Sequence, residues 1–152
     1  MKRLLLFCLV MPLISASLTA QKMQVAMGGG YAFNHKGFVL MESTCDYGKV
    51  NAGVQMRLGD ESAFNLLARV PFQVIPNWSV YAGMMAGAAS YQVYGGRCCG
   101  NDAYSFNIGL LAGVSYRIDK RWSVFGELNW GVLTRISEER KWLSAGLCYD
   151  LN

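Results

Sequence analysis

From Trp122 to Val132 every second position is apolar or glycine: Trp122, Val124, Gly126, Leu128, Trp130 and Val132. Between them stand Ser123, Phe125, Glu127, Asn129 and Gly131, with Phe125 the exception. Phe106 to Ile118 repeats the pattern, with Phe106, Ile108, Leu110, Ala112, Val114, Tyr116 and Ile118 set against Asn107, Gly109, Leu111, Gly113, Ser115 and Arg117. A period of two places alternate side chains on opposite faces of a strand, so both segments predict amphipathic strands. The same alternation runs through Val50–Arg57, Phe64–Gln73, Leu143–Leu151 and Gln24–Phe33, and less regularly through Trp78–Tyr94 and Gly37–Thr44. Together these segments predict eight strands.

Turn-forming residues separate them at Asn34–Lys36, Asp46–Gly48, Gly59–Glu61, Pro76–Asn77, Tyr94–Asp102, Asp119–Lys120 and Ser137–Arg140. Only the connection from Tyr94 to Asp102 is long. No helix-period segment is available for crossovers, so neighbouring strands are expected to pair antiparallel as a meander that closes on itself and leaves no edge. The fold class that follows is all-β, an eight-stranded antiparallel up-and-down barrel.

Alternation alone does not say whether the apolar face lines such a barrel or coats it. Only 16% of the residues are charged and 53% are hydrophobic, against roughly 25% charged in an ordinary globular domain. A water-facing polar surface would repeat Lys and Glu; these polar faces are mostly Gly, Ser, Asn and Gln, which suits an enclosed space. The tryptophans Trp78, Trp122, Trp130 and Trp142 fall near predicted strand ends, where amphipathic rings would form two interfacial girdles. Trp122 and Trp130 are separated by roughly 20 Å of height at an ordinary strand rise and a tilt near 40°, close to the ~25 Å apolar band of membrane barrels. An eight-stranded interior is narrow enough to be filled by side chains. Arg57, Arg69, Arg117, Glu127 and Asn129 are therefore expected to form a polar network in the lumen, with at least one Arg to Glu127 ion pair, since a buried charge is costly unless paired. Asp150 shares the polar face. The transmembrane barrel is the reading these features favour, and a secreted soluble barrel holding an apolar ligand inside is the alternative.

Residues 1–20 have a basic start (Lys2, Arg3), an apolar stretch from Leu4 to Ile14 and a small-residue end up to Ala20. This arrangement predicts a secretory signal peptide cleaved near Ala20, with the barrel domain over 21–152. The apolar stretch is well short of the roughly 20 residues a membrane helix needs. The formal charge is +4; setting aside Lys2 and Arg3 leaves twelve cations against ten anions, or +2. With no Lys/Arg cluster there is no electrostatic footprint for nucleic acid.

The stretch FNIGLLAGVSYRIDKRWSVFGELNW, the closing WLSAGLCYDLN and the upstream FNLLARVPFQVIPNWSVYAGMMAGAASY resemble strand pairs of the small bacterial outer-membrane β-barrel family, which includes OmpA-like and opacity porin-like barrels. The resemblance covers about residues 23 to 152. It implies an outer-membrane location, short periplasmic turns near Pro76 and Asp119, external loops near Asn34, Gly59, Tyr94 and Ser137, and two kinds of partner: outer-membrane lipids and the outer-membrane assembly machinery. Family members commonly finish on an aromatic residue, whereas this sequence finishes Leu151, Asn152.

Export permits disulfides, and Cys45, Cys98, Cys99 and Cys148 allow three fully paired connectivities. Cys98 and Cys99, in the longest predicted loop, are the candidate loop disulfide cysteines; Cys148 is expected to face the lumen as a small packing residue. The sole histidine, His35, sits in a predicted loop beside Lys36. Serine hydrolase chemistry requires a base beside its nucleophile, so a lipid-modifying enzyme remains only as a lesser alternative. The run Gly28–Gly30 is not followed by the Lys-Ser/Thr of a phosphate loop and lies within a strand pattern. No catalytic, cofactor or metal residue is assigned.

Overall fold

The computed structural model describes residues 22–33, 36–59, 62–93, 101–135 and 138–151. The predicted leader, His35 and the cysteines Cys98 and Cys99 lie outside them. Eight strands run in chain order: β1 (Lys22–Ala32), β2 (Lys36–Asp46), β3 (Asn51–Gly59), β4 (Ala63–Ile75), β5 (Trp78–Val93), β6 (Asn101–Arg117), β7 (Trp122–Leu133) and β8 (Glu138–Asp150). Each pairs antiparallel with the next, and β1 pairs antiparallel with β8, so the sheet closes into a barrel. Closure satisfies the strand-edge hydrogen-bonding groups that an open sheet would expose.

Lys22 and Asp150 lie at one end of the barrel, together with the turns β2–β3, β4–β5 and β6–β7. This terminal end has tight chain reversals. At β4–β5, Pro76 fixes its own φ near −65° and Asn77 takes a φ of 70°, the left-handed conformation required at the second central position of a type II turn. The register shifts between Gln73 and Ile75, a bulge just ahead of this turn. At β2–β3, Gly48 adopts a φ of 85° and its N–H donates to Asp46 Oδ1 at 2.7 Å. At β6–β7, Asp119 Oδ1 accepts from the backbone N–H groups of both Arg121 and Trp122, each at 2.7 Å.

The apolar stripe faces outward. Leu110 is 58% exposed, Leu147 48% and Val124 37%; Leu66, Phe72, Met84, Ile108, Leu128 and Leu143 are exposed alongside them. The alternate positions turn inward and are buried, among them Gln55, Asn65, Asn107, Glu127, Asn129 and Ser144.

Cross-strand pairing explains how so narrow a lumen holds large side chains. Arg69 is opposite Gly83 and Asn65 opposite Gly87; Glu127 is opposite Gly113 and Thr44 opposite Gly53. A Cβ at Gly83 would stand 2.7 Å from the Arg69 Cα, and one at Gly87 2.6 Å from the Asn65 Cα. The glycine leaves space on one strand where its neighbour projects a bulky group.

Candidate functional site

The distinctive chemistry lies inside the barrel. At its centre Arg69, projected from β4, sits between two carboxylates. It is ion-paired with Glu42 of β2, and its Nη1 is 3.4 Å from Glu127 Oε2 of β7. Gln55 Nε2 donates to Glu42 Oε2 and to Glu127 Oε1, both at 3.3 Å, and Asn129 Nδ2 donates to Glu127 Oε1 at 2.8 Å. The two anions thus share Arg69 and two amides. Glu127 is 1% exposed, and a carboxylate that deep is tolerable only with this density of donors. The Arg69 guanidinium also lies 4.8 Å from the ring centre of Tyr81.

Toward the loop end the filling becomes apolar. Leu67, Tyr81, Met85, Leu111 and Trp142 form a buried cluster with Phe38 and Ala32 packed against it. Beyond it Asn107 Nδ2 donates to Asn65 Oδ1 at 3.0 Å, and Ala63, Ala89 and Leu133 form a second small cluster joined by Ala103. A hollow of about 30 Å³ lies there. At the terminal end a cavity of about 290 Å³ reaches from the mouth to Arg69 and Glu42, walled by Gln24, Asn51, Phe125 and Asp150. Gln24 Nε2 donates to Asp150 Oδ1 at 2.7 Å. Among the described residues the lumen is a vestibule beneath a packed plug.

Arg57, Arg69, Glu127 and Asn129 are all inward and buried, and Arg57 also lies against the aromatic rings of the plug. Its guanidinium lies 3.9 Å from the ring centre of Trp142 and 5.9 Å from that of Phe38. Two sequence expectations are corrected. Trp142 does not belong to an outer girdle: it is 3% exposed inside the barrel, because it shares the inward parity of Ser144, Gly146 and Cys148 along β8. Arg117 keeps inward parity but is exposed at the rim as the last residue of β6, where the barrel has opened into the mouth; it borders a surface hollow with Lys22 and Lys120. Trp78, Trp122 and Trp130 point outward. Trp78 packs on Tyr116 with ring centres 4.9 Å apart, and Trp122 on Tyr149 at 4.8 Å. Lys141 lies 5.5 Å from the Trp130 ring centre.

Sequence reasoning did not find Glu42, Gln55 or Tyr81 as cluster members. The signal for Glu42 was weak because Phe38 and Leu40 share its inward face on β2, which blurs the alternation. Gln55 was visible on a polar face but carries no charge to single it out. Cys148 borders the mouth cavity, and Cys45 is buried. Among the described residues no group of three or more His, Cys, Asp or Glu side chains is placed to hold a metal ion.

No protein-family model matches the chain, and no curated protein matches its sequence. Solved structures do match. The N-terminal β-barrel domain of Pseudomonas aeruginosa OprF superposes with a TM-score of 0.68 at 11% identity, covering 87% of this chain and 98% of that one. Neisserial surface protein A gives 0.65 at 13% identity, covering 84% and 94%. The attachment invasion locus protein Ail of Yersinia pestis, solved in complex with the heparin analogue sucrose octasulfate, gives 0.58 at 10% identity, covering 86% and 98%. With its apolar face outside, its polar face inside and its sheet closed, this chain has the fold of the small eight-stranded outer-membrane β-barrels.

Proposed function

We propose that the protein is a bacterial outer-membrane barrel with a structural or surface-interaction role and no catalytic activity. The observation that carries this reading is the inversion of polarity: Leu110, Val124 and Leu147 face outward while Glu127, Arg69 and Asn129 are enclosed. Such an exterior is stable in hydrocarbon and unfavourable in water. Outer-membrane lipids are then its solvent, the outer-membrane assembly machinery its route of insertion, and the terminal end faces the periplasm. The packed plug of Leu67, Met85, Leu111 and Trp142 argues against a through-channel, and the engaged carboxylates argue against acid–base chemistry in the lumen. Recognition of any surface partner falls to the loop end.

A soluble carrier of an apolar ligand would need its greasy face inside, the reverse of this arrangement. The test is refolding of the mature chain with and without detergent or lipid vesicles. A folded, protease-resistant barrel only in their presence is expected; a monodisperse folded monomer in plain buffer would overturn the reading. Leu110→Arg, a charge placed on the outer face, is expected to weaken folding into vesicles by about 2–4 kcal/mol if the site lies near the bilayer midplane.

A further inference from the structure

The outer surface of the terminal rim is not uniform. Over β5 to β8 it carries an aromatic arc made of the Trp78–Tyr116 and Trp122–Tyr149 pairs, with Val124 between them across the Tyr116 register position. The β6–β7 turn beside this arc holds Lys120 and Arg121 against one anion, Asp119, and Arg117 ends β6 just ahead of it, all exposed. The β2–β3 turn of the same rim has Lys49 alone, next to Asp46.

Arg121 is positioned with unusual care for a turn residue. Its N–H donates to Asp119 Oδ1 at 2.7 Å, and its carbonyl oxygen accepts from the Asp150 N–H at 2.8 Å. Its side chain is held as well: Nη1 donates to the Tyr149 hydroxyl at 3.1 Å, beside the Trp122 ring. One donor of a five-donor fork is engaged there, and the planar guanidinium suits bidentate contact with a phosphate. Aromatic rings favour the depth of lipid headgroups.

We propose that Arg121, with Lys120 and the Trp122–Tyr149 pair, forms a seat for the headgroup phosphate of an anionic glycerophospholipid at the terminal rim. The proposal rests on the membrane-spanning reading above, which puts this rim at a bilayer surface. The net positive charge of the turn selects an anionic lipid over a zwitterionic one, and Tyr149 holds the guanidinium at the height of the aromatic arc so that less side-chain freedom is lost on contact.

The test uses the full mature chain refolded into vesicles of equal parts phosphatidylglycerol and phosphatidylcholine with matched acyl chains, followed by native mass spectrometry of the lipids retained. Preferential retention of phosphatidylglycerol is expected. Arg121→Gln should reduce that preference about fivefold, the ~1 kcal/mol associated with one basic side chain at an anionic membrane surface. Tyr149→Phe, which keeps the charge and releases its anchor, should reduce it less, and Lys141→Gln, toward the opposite end, should leave it unchanged. Equal retention of the two lipids by the wild type, or a preference that survives Arg121→Gln in a protein still folded in vesicles, would overturn the headgroup seat alone. Failure of the wild type to enter vesicles while folding in plain buffer would remove it together with the membrane reading.

Discussion

Trp142 stacks against Arg57 inside the barrel, ring centre to guanidinium carbon 3.9 Å. The pair joins the two halves of the lumen: the cation meets an aromatic face where the polar cluster gives way to the apolar plug. Cation–π contact of a desolvated guanidinium contributes on the order of 2 kcal/mol. Trp142→Ala removes this contact and hollows the plug, and is expected to lower stability by about 3–5 kcal/mol, read from the urea midpoint in detergent micelles.

The same geometry separates the tryptophans by solvent. A protein keeping only Trp130, the other three replaced by Phe, is expected to lose most of its fluorescence in vesicles with brominated acyl chains. One keeping only Trp142 should lose little. Equal quenching of both would contradict the inward orientation of β8 at that position.

Arg69 serves two carboxylates, so its removal leaves two buried anions facing each other. Arg69→Met is expected to cost about 3–5 kcal/mol, more than Glu127→Gln, which keeps an acceptor for Arg69 and Asn129. Combining Arg69→Met with Glu42→Gln and Glu127→Gln should recover much of the loss, because the uncompensated charges are gone. Denaturant titration of the variants in one detergent checks the order.

Glycines of the two faces should respond differently. Gly87→Ala puts a Cβ into the backbone of β4 at Phe64 and Asn65 and is expected to destabilise the barrel by more than about 2 kcal/mol, in the range of overpacking. Gly126→Ala meets nothing within 4 Å and should remain within about 0.5 kcal/mol of wild type. Urea midpoints again decide.

The β6–β7 turn gives a pH dependence of defined sign. Backbone N–H groups of Arg121 and Trp122 hold the Asp119 carboxyl below the usual carboxylate range. A lowered pKa means the stabilisation is complete above the unfolded value and disappears as pH falls through the folded one. Amide exchange at Arg121 and Trp122 is therefore expected to stay slow through mildly acidic pH and accelerate only below the ordinary carboxylate range. Asp119→Ala should abolish that step.

The alternation was legible because a strand has only two faces, and one residue of offset moves a side chain from one environment to the other. It was enough to put Arg69, Glu127 and Asn129 on one side and Leu110, Val124 and Leu147 on the other. It also held the information that Trp142 shares parity with Ser144; residue type suggested a girdle, and parity is the stronger constraint because the pleat allows no exception within a regular strand.

What the sequence determined by itself was local: the strand period, the turn residues, and a polar face too poor in charge to suit water. Which residues meet across the lumen was decided only by closure of the barrel, since contact depends on the stagger of strands distant in sequence. Glu42, Gln55, Arg69 and Glu127 come from four strands and converge on one point, while Arg57, with the same charge and parity as Arg69, has its guanidinium over the Trp142 ring. Charge and alternation are properties of a chain; the distance between two charges is a property of its register.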